Sequence, residues 1–128
     1  FFEVCKSLAD YVFLDCTSSL DDPLSVYGMA AADKAVQLVT PDIRSAAYYA
    51  SFEKTYEQIK GKSIGVINIT DKDLYLPVGE VKAGFSNAKY ILPYSMYLKQ
   101  QYITGELTHK IPDQRFSAVC RGIAGAVL

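Results

Sequence analysis

The sequence predicts an α/β fold, with a mostly parallel sheet of about four strands and helices on both of its faces. Four short apolar segments alternate with segments whose apolar residues recur every three or four positions. No Asn-Gly or Asp-Gly hairpin signal separates the apolar segments. Alternation of strands and helices favours right-handed crossovers and therefore a parallel sheet. The 128 residues, half of them hydrophobic, are enough for one α/β unit spanning residues 1–128.

The N-terminal part of the chain predicts a helix, a strand and a second helix. Residues 1–10 carry apolar side chains at helical spacing. Tyr11–Asp15 is predicted as the first strand, because side chains that are apolar on both faces are typical of a buried parallel strand. Asp21 or Asp22 then caps a helix whose first residue is Pro23.

The middle of the chain repeats this order. Ala35–Val39 is predicted as the second strand and Ser63–Ile69 as the third. Between them, Thr40 is the predicted N-cap and Pro41 the first residue of a long helix that reaches about Lys60.

The last part of the chain predicts one more strand among three helices. Pro77 opens a short helix, and Lys89–Leu92 is the fourth strand. Ser95 is the predicted cap of a helix over Met96–Thr104, and Asp113 caps a final helix.

Composition and charge exclude several classes of protein. With 13 basic and 14 acidic residues and no basic stripe, no direct nucleic-acid binding is predicted for this chain. The three cysteines are isolated, which argues against a disulfide framework or a zinc site and fits a reducing cytoplasm. No apolar run approaches the roughly 20 residues that span a bilayer. Because the chain opens with Phe-Phe-Glu-Val and no methionine, we expect it to be a piece of a longer protein.

Parallel sheets bind ligands at the carboxyl ends of their strands, and four predicted loops lie at that edge. Asp15 ends the first strand, where a carboxylate can hold Mg²⁺ directly or through water. It can equally cap the following turn. Thr17, Ser18 and Ser19 are candidate phosphate contacts or simply a polar turn.

The other candidates also have structural alternatives. Asn68 lies inside an apolar strand, where its amide suits either a nucleobase edge or a bond to neighbouring backbone. Pro93, Tyr94 and Ser95 could wall a ring-shaped ligand or form a plain strand-to-helix turn. The single histidine, His109, is interpreted as a solvated loop residue.

One absence limits the chemistry of the chain. It contains no Gly-x-x-x-x-Gly-Lys-Ser/Thr loop and no Gly-x-Gly-x-x-Gly motif. The backbone nest and the lysine that hold triphosphate charge are therefore missing from these residues. Alone, this chain is not expected to hydrolyse ATP.

Four segments, in order, carry a resemblance to a known group. They are Asp10-Tyr-Val-Phe-Leu-Asp15-Cys-Thr-Ser-Ser19, Ala31-Ala-Asp-Lys-Ala-Val-Gln-Leu-Val-Thr-Pro-Asp42, Gly65-Val-Ile-Asn68, and Ile91-Leu-Pro-Tyr-Ser95 with the later Gly105-Glu106. Together they resemble the C-terminal half of the ParA/MinD group of P-loop ATPases, and within it the TadZ/CpaE-like pilus-assembly and localisation proteins. The resemblance covers most of residues 10–110 and implies a P-loop NTPase (SIMIBI-like) three-layer sandwich.

The resemblance implies a role for each candidate residue. Asp15 would organise Mg²⁺ through water, Thr17–Ser19 would respond to the γ-phosphate of ATP, and Asn68 with the Pro93–Ser95 backbone would hold adenine. It also implies a homodimer and a cytoplasmic protein recruited to the membrane or cell pole by a pilus or secretion partner. One departure stands out, since Cys-Thr-Ser-Ser follows Asp15 in place of the usual proline-containing run.

Three functions remain open at this point. The first is the C-terminal part of a ParA/MinD-like ATPase that positions a pilus, secretion or partition apparatus through nucleotide-dependent dimerisation. The second is a non-catalytic localisation or scaffold module that keeps the fold without ATP turnover. The third is a receiver-like or flavodoxin-like signalling domain. The sequence argues against it, because no acidic pocket with a downstream lysine can be assembled.

Overall fold

The computed structural model of this protein describes residues 1–17, 19–73, 76–85, 87–106 and 111–128. Its strands are β1 (Ala35–Val39), β2 (Ser63–Asn68) and β3 (Ala88–Leu92). Its helices are α1 (Phe2–Leu8), α2 (Pro23–Ala31), α3 (Ile43–Ser51), α4 (Glu53–Ile59), α5 (Val78–Gly84), α6 (Met96–Thr104) and α7 (Gln114–Val127). Among these helices, none is long and apolar enough to cross a lipid bilayer.

The strands form one parallel sheet in the order β1-β2-β3, which confirms the predicted α/β class. At least one helix separates each strand from the next along the chain. In the register, Val39 faces Ile67 and Ile67 faces Ile91. Neighbouring Val66 and Ile67 are both fully buried, because β2 is the central strand and is covered on both sides.

Helices pack on both faces of the sheet, as predicted. On one face, Val39 and Ile67 form a buried cluster with Val81 and Phe85, at the α5 side, and Tyr49 of α3 packs against it. On the other face α7 packs against β3, where the Tyr90 hydroxyl donates a hydrogen bond of 2.9 Å to a carbonyl in that helix.

Most predicted helix starts are confirmed. Asp22 caps α2 ahead of Pro23, and Asp113 caps α7. The helix over Met96–Thr104 has the predicted bounds and ends at Gly105, whose φ of 71° suits a glycine. The side chain of Ser95, however, makes no capping bond.

The predicted long helix after β1 is wrong in two respects. Its cap is Asp42, which accepts a hydrogen bond from the Ser45 amide, and not Thr40. It also breaks at Phe52 into α3 and α4, followed by a short 3₁₀ turn over Lys60–Lys62. An aspartate with extended backbone is a stronger N-cap than threonine, which explains the first difference.

The predicted first strand is also wrong, so the described sheet has three strands and not four. Residues 11–17, here called the Asp15 segment, form no regular secondary structure. Tyr11 and Phe13 are 60% and 80% exposed, where a buried strand was expected. A strand needs a hydrogen-bonded neighbour, and this segment is not paired with β1, the nearest edge of the sheet.

Candidate functional site

The three strands end at one edge of the sheet, where two predicted site segments meet. Asn68 is the last residue of β2 and lies opposite Leu92, the last residue of β3. The Ile69 amide donates a 2.9 Å hydrogen bond to the Leu92 carbonyl, which extends the pairing by one residue. The backbone therefore brings Asn68 beside the start of Pro93–Ser95.

The side chains at this junction leave polar groups open. Asn68 is half-buried, and its side-chain amide has no hydrogen bond within the described part of the chain. Ser95 is only 5% exposed, and its hydroxyl has no partner in that same part. The Lys72 ammonium lies 5.8 Å from the centroid of the Tyr94 ring. A side-chain amide and an aromatic ring at one edge of the sheet are groups that can bind a flat heterocycle.

Asp15 is an exposed carboxylate on an irregular segment. No hydrogen bond or ion pair of its side chain is found among the described residues. No group of three or more metal-binding side chains occurs among them either. A cation at Asp15 would therefore take its other ligands from water or from a bound phosphate, as Mg²⁺ commonly does.

Thr17 is held to the start of α2. Its amide donates a 3.0 Å hydrogen bond to the Ser25 hydroxyl oxygen. The Ser25 hydroxyl in turn donates to the Asp22 carboxylate at 2.5 Å, and the Ser25 amide donates to the same carboxylate at 2.9 Å. These bonds, first that of the Ser25 hydroxyl, lower the pKa of Asp22.

A similar cluster lies at the end of β1. The Asp42 carboxylate accepts hydrogen bonds from the Thr40 hydroxyl and, at 2.9 Å, from the Ser45 amide. The Thr40 bond and then the Ser45 bond hold the pKa of Asp42 below its usual value. The predicted edge segment Thr40–Asp42 thus caps α3, and its carboxylate is already engaged.

A cavity of about 880 Å³ lies between the Asp15 segment and β1. Every residue of β1 lines it. Helices on both faces of the sheet line it as well. On one face these are α3 and α4, through Tyr48, Tyr49 and Tyr56, and on the other the end of α7 and the last residue, through Val127 and Leu128. The Gln37 amide nitrogen, in β1, is buried with no partner in the described part of the chain. On the same strand Leu38 is 64% exposed, although it pairs with the fully buried Val66. Side chains and backbone at this edge thus lack the neighbour that an inner strand has.

The candidate residues fall into two groups. Asn68 and Pro93–Ser95 lie together, whereas Asp15 and Thr17 lie across the cavity from β1. In the described ranges no hydrogen bond or ion pair joins the two groups. Ser18 and His109 lie outside the described residues. Cys16, next to Asp15 in the sequence, is exposed.

Two residues of this region were missed by the sequence interpretation. Ser25 had a signal, because Asp22 and Ser25 have the same spacing as Asp42 and Ser45 at two successive helix starts. Gln37 had a weaker sequence signal, as a lone amide side chain within an apolar strand.

In comparisons with protein-family models, curated proteins and solved structures, nothing matches this chain.

Proposed function

We propose that this chain is the C-terminal part of a ParA/MinD-like ATP-binding protein that positions a pilus, secretion or partition apparatus through nucleotide-dependent dimerisation. The observation that carries the proposal is the cavity between the Asp15 segment and the free edge of β1. The resemblance of the sequence to this group, which no comparison tests, supplies the identity of the apparatus and the dimer.

The cavity has the surroundings of a missing inner strand. On the cavity side, β1 pairs with no strand among the residues that the structure describes, and an unpaired edge is a template for another strand. Side chains of α3, α4 and the end of α7 line the same space. The buried Gln37 side-chain nitrogen has no acceptor in the described ranges, and a main-chain carbonyl in this place would provide one.

A strand in this cavity would have a functional consequence. If it ran parallel to β1, its carboxyl end would lie at the edge that carries Asp42 and near Asp15. A phosphate-binding loop following such a strand is the arrangement found at the first strand of P-loop proteins. The phosphate-binding loop, which this chain lacks, would thus lie next to Asp15.

The residues present are suited to the remaining parts of the site. Asp15, whose carboxylate is open, would hold Mg²⁺ through water, and Thr17 would respond to the γ-phosphate. Asn68 with Pro93, Tyr94 and Ser95 would hold adenine. Two strand spacings, roughly 10 Å, separate the cavity from β2. A nucleotide lying across this edge would therefore have its phosphates at Asp15 and Thr17 and its base at Asn68 and Pro93–Ser95.

Hydrolysis would follow in-line attack of water on the γ-phosphate, with most of the charge stabilisation coming from the loop outside this chain. Bound Mg²⁺ would neutralise charge on the phosphate oxygens. The second candidate is a localisation scaffold that binds nucleotide without turning it over. The Cys-Thr-Ser-Ser run after Asp15, in place of the family's usual residues, favours this alternative.

The test uses the longer protein that contains this chain, whose upstream part is expected to carry a Gly-rich Lys-Ser/Thr loop. Mg-ATP binding and phosphate release are measured for the wild type, Asp15→Ala and the control Asp10→Ala. Asp10 is a second exposed carboxylate next to the Asp15 segment. Weaker binding and lost phosphate release in Asp15→Ala alone would support the proposal.

Other outcomes decide between the candidates. ATP-dependent dimerisation without phosphate release in the wild type would favour the scaffold. Equal turnover in all three proteins would contradict the role of Asp15. An upstream region without a phosphate-binding loop would refute the ATPase itself.

A further inference from the structure

The Asp15 segment is docked on one face of α2. Ser25 and Gly28, one helical turn apart, are the residues of α2 that are buried. A Cβ atom on Gly28 would lie 3.3 Å from both the Leu14 Cδ1 and the Cys16 Sγ atoms. Thr17 continues along the same face, where its backbone N–H donates a hydrogen bond to the Ser25 hydroxyl oxygen. The start of α2 therefore fixes where the loop after Asp15 begins.

We propose that Ser25 is a positioning residue that restrains Thr17, and with it the start of the loop after Asp15, against α2. The proposal rests on the proposed function, because the restraint matters only if Thr17 moves to a γ-phosphate. In the structure, the Thr17 hydroxyl lies 3.4 Å from the Ser25 hydroxyl, on the side of α2. Under this proposal Thr17 leaves Ser25 when it contacts the γ-phosphate, and its backbone N–H then loses the hydrogen bond to the Ser25 hydroxyl.

The Ser25 hydroxyl does more than cap the helix. The cap of α2 is made by Asp22, which accepts from the Ser25 amide and would still do so with alanine at position 25. Ser45 occupies the same position in α3 and likewise donates to the cap, Asp42. In the part of the chain that the structure describes, no backbone amide donates to the Ser45 hydroxyl, which distinguishes the two serines.

The burial of Ser25 gives the restraint its strength. Ser25 is 2% exposed, so water does not readily replace the Thr17 amide as donor to its hydroxyl oxygen. When the loop leaves, that acceptor loses a partner. A ligand that requires the released loop binds with an affinity reduced by the fraction of molecules in which the loop is free.

The test is made on the longer protein, first without nucleotide. Amide hydrogen exchange at Thr17 is measured by NMR for the wild type, Ser25→Ala, Ser25→Thr, Thr17→Ala and Ser45→Ala. We expect exchange to accelerate by roughly fivefold in Ser25→Ala, the factor that one hydrogen bond contributes. Three control variants should exchange near the wild-type rate. Ser25→Thr keeps the acceptor hydroxyl, and Thr17→Ala keeps the donor backbone N–H. Ser45→Ala removes only the matched serine of α3. Equal exchange in Ser25→Ala and wild type would overturn the proposal.

Mg-ATP affinity then tests the functional part. Release of the loop should tighten binding in Ser25→Ala by about the same factor, with no change in Ser45→Ala. Unchanged or weaker binding in Ser25→Ala, despite faster Thr17 exchange, would overturn the restraining role. If even the wild type fails to bind Mg-ATP, the proposed function fails, and with it the nucleotide-linked restraint, whereas the exchange data still decide whether Ser25 holds Thr17.

Discussion

The backbone carbonyl oxygen of Asn87 lies 2.6 Å from the position that a Cβ atom on Gly65 would occupy. The same carbonyl accepts a 3.0 Å hydrogen bond from the Gly65 amide, so the close approach is part of how β2 meets the turn before β3. The Phe85 ring closes the space further, with one carbon at 2.8 Å. The register of the two strands shifts between Gly65 and Val66, and a glycine in a strand commonly marks such a site.

Gly65→Ala should therefore destabilise the fold. A methyl group at this position would displace backbone, and we expect the free energy of unfolding to fall by about 1–3 kcal/mol. Chemical denaturation measures this change. Gly79→Ala is the control, because nothing lies within 4 Å of its Cβ position in α5. That helical substitution should stabilise the protein by about 0.5–1 kcal/mol, and a loss equal to that of Gly65→Ala would refute the steric argument.

Asp42 should make stability depend on pH in the acid range. Its pKa is lowered, first by the Thr40 hydroxyl and then by the Ser45 amide, from an ordinary value of 3.8. Because the folded-state pKa lies below the unfolded one, the contribution is present above about pH 4 and is lost as the pH falls through the folded-state value. Asparagine keeps a capping oxygen but removes the charge. Asp42→Asn should thus cost at most about 1 kcal/mol at pH 7, roughly the difference between hydrogen bonds to a charged and to a neutral acceptor, and much less at the acid end.

The check is the free energy of unfolding of both proteins from pH 7 downward. Asp33→Asn serves as the control, since no hydrogen bond of Asp33 is found in the described ranges. It should follow the wild-type curve. A difference between Asp42→Asn and wild type that persists undiminished at the lowest pH would contradict the linkage.

Local sequence signals were sufficient for most of the fold. The strand over Ala35–Val39 and the helix over Met96–Thr104 have the predicted bounds, because apolar periodicity and helix-end residues act within a few positions. The pairing of Asn68 with Leu92 follows from the parallel sheet, which places the ends of neighbouring strands together. That these segments share an edge of the sheet could be predicted from the sequence, whereas their being neighbours depends on the strand order, which the sequence does not give.

The predictions that failed concerned structure that depends on contacts between distant residues, which no local sequence pattern contains. Tyr11–Asp15 has the composition of a buried strand, yet a strand forms only where another backbone can pair with it. The cavity beside β1 separates the two, so the apolar side chains of that segment stay exposed. Likewise, the bond between Thr17 and Ser25 joins residues eight positions apart across a turn, and helical or strand periodicity does not report it.

Lys62 should stabilise α2 from a distant part of the sequence. Its ammonium donates hydrogen bonds of 2.7 Å to the carbonyls of Ala30 and Ala32, at the end of that helix. A cation at a helix C-terminus also interacts favourably with the helix dipole. We expect Lys62→Met to lower the free energy of unfolding by about 1–2 kcal/mol and to speed amide exchange in the last turn of α2.

A second lysine of the same turn provides the control for Lys62. Lys60 pairs with Glu57 at 2.8 Å, and both side chains are about half exposed. Such solvent-screened surface pairs contribute little to stability, so Lys60→Met should leave both the free energy of unfolding and the amide exchange of α2 nearly unchanged. Similar effects of the two substitutions would show that Lys62 acts only as a surface charge.

Asn68 should read the base and not the phosphates, if the proposed function is correct. Its side-chain amide has no hydrogen bond in the part of the chain that the structure describes, and Asn68 pairs with Leu92, just before the Pro93–Ser95 turn and on the far side of β1 from Asp15. In the longer protein, Asn68→Ala should weaken Mg-ATP binding by about tenfold, as expected for loss of hydrogen bonds to a base edge. Isothermal titration with Mg-ATP and with Mg-tripolyphosphate, which lacks the base, separates the two contributions. Tripolyphosphate binding should be unchanged in Asn68→Ala and weakened in Asp15→Ala; equal losses for both ligands in Asn68→Ala would mean that the residue supports the whole edge and does not recognise adenine.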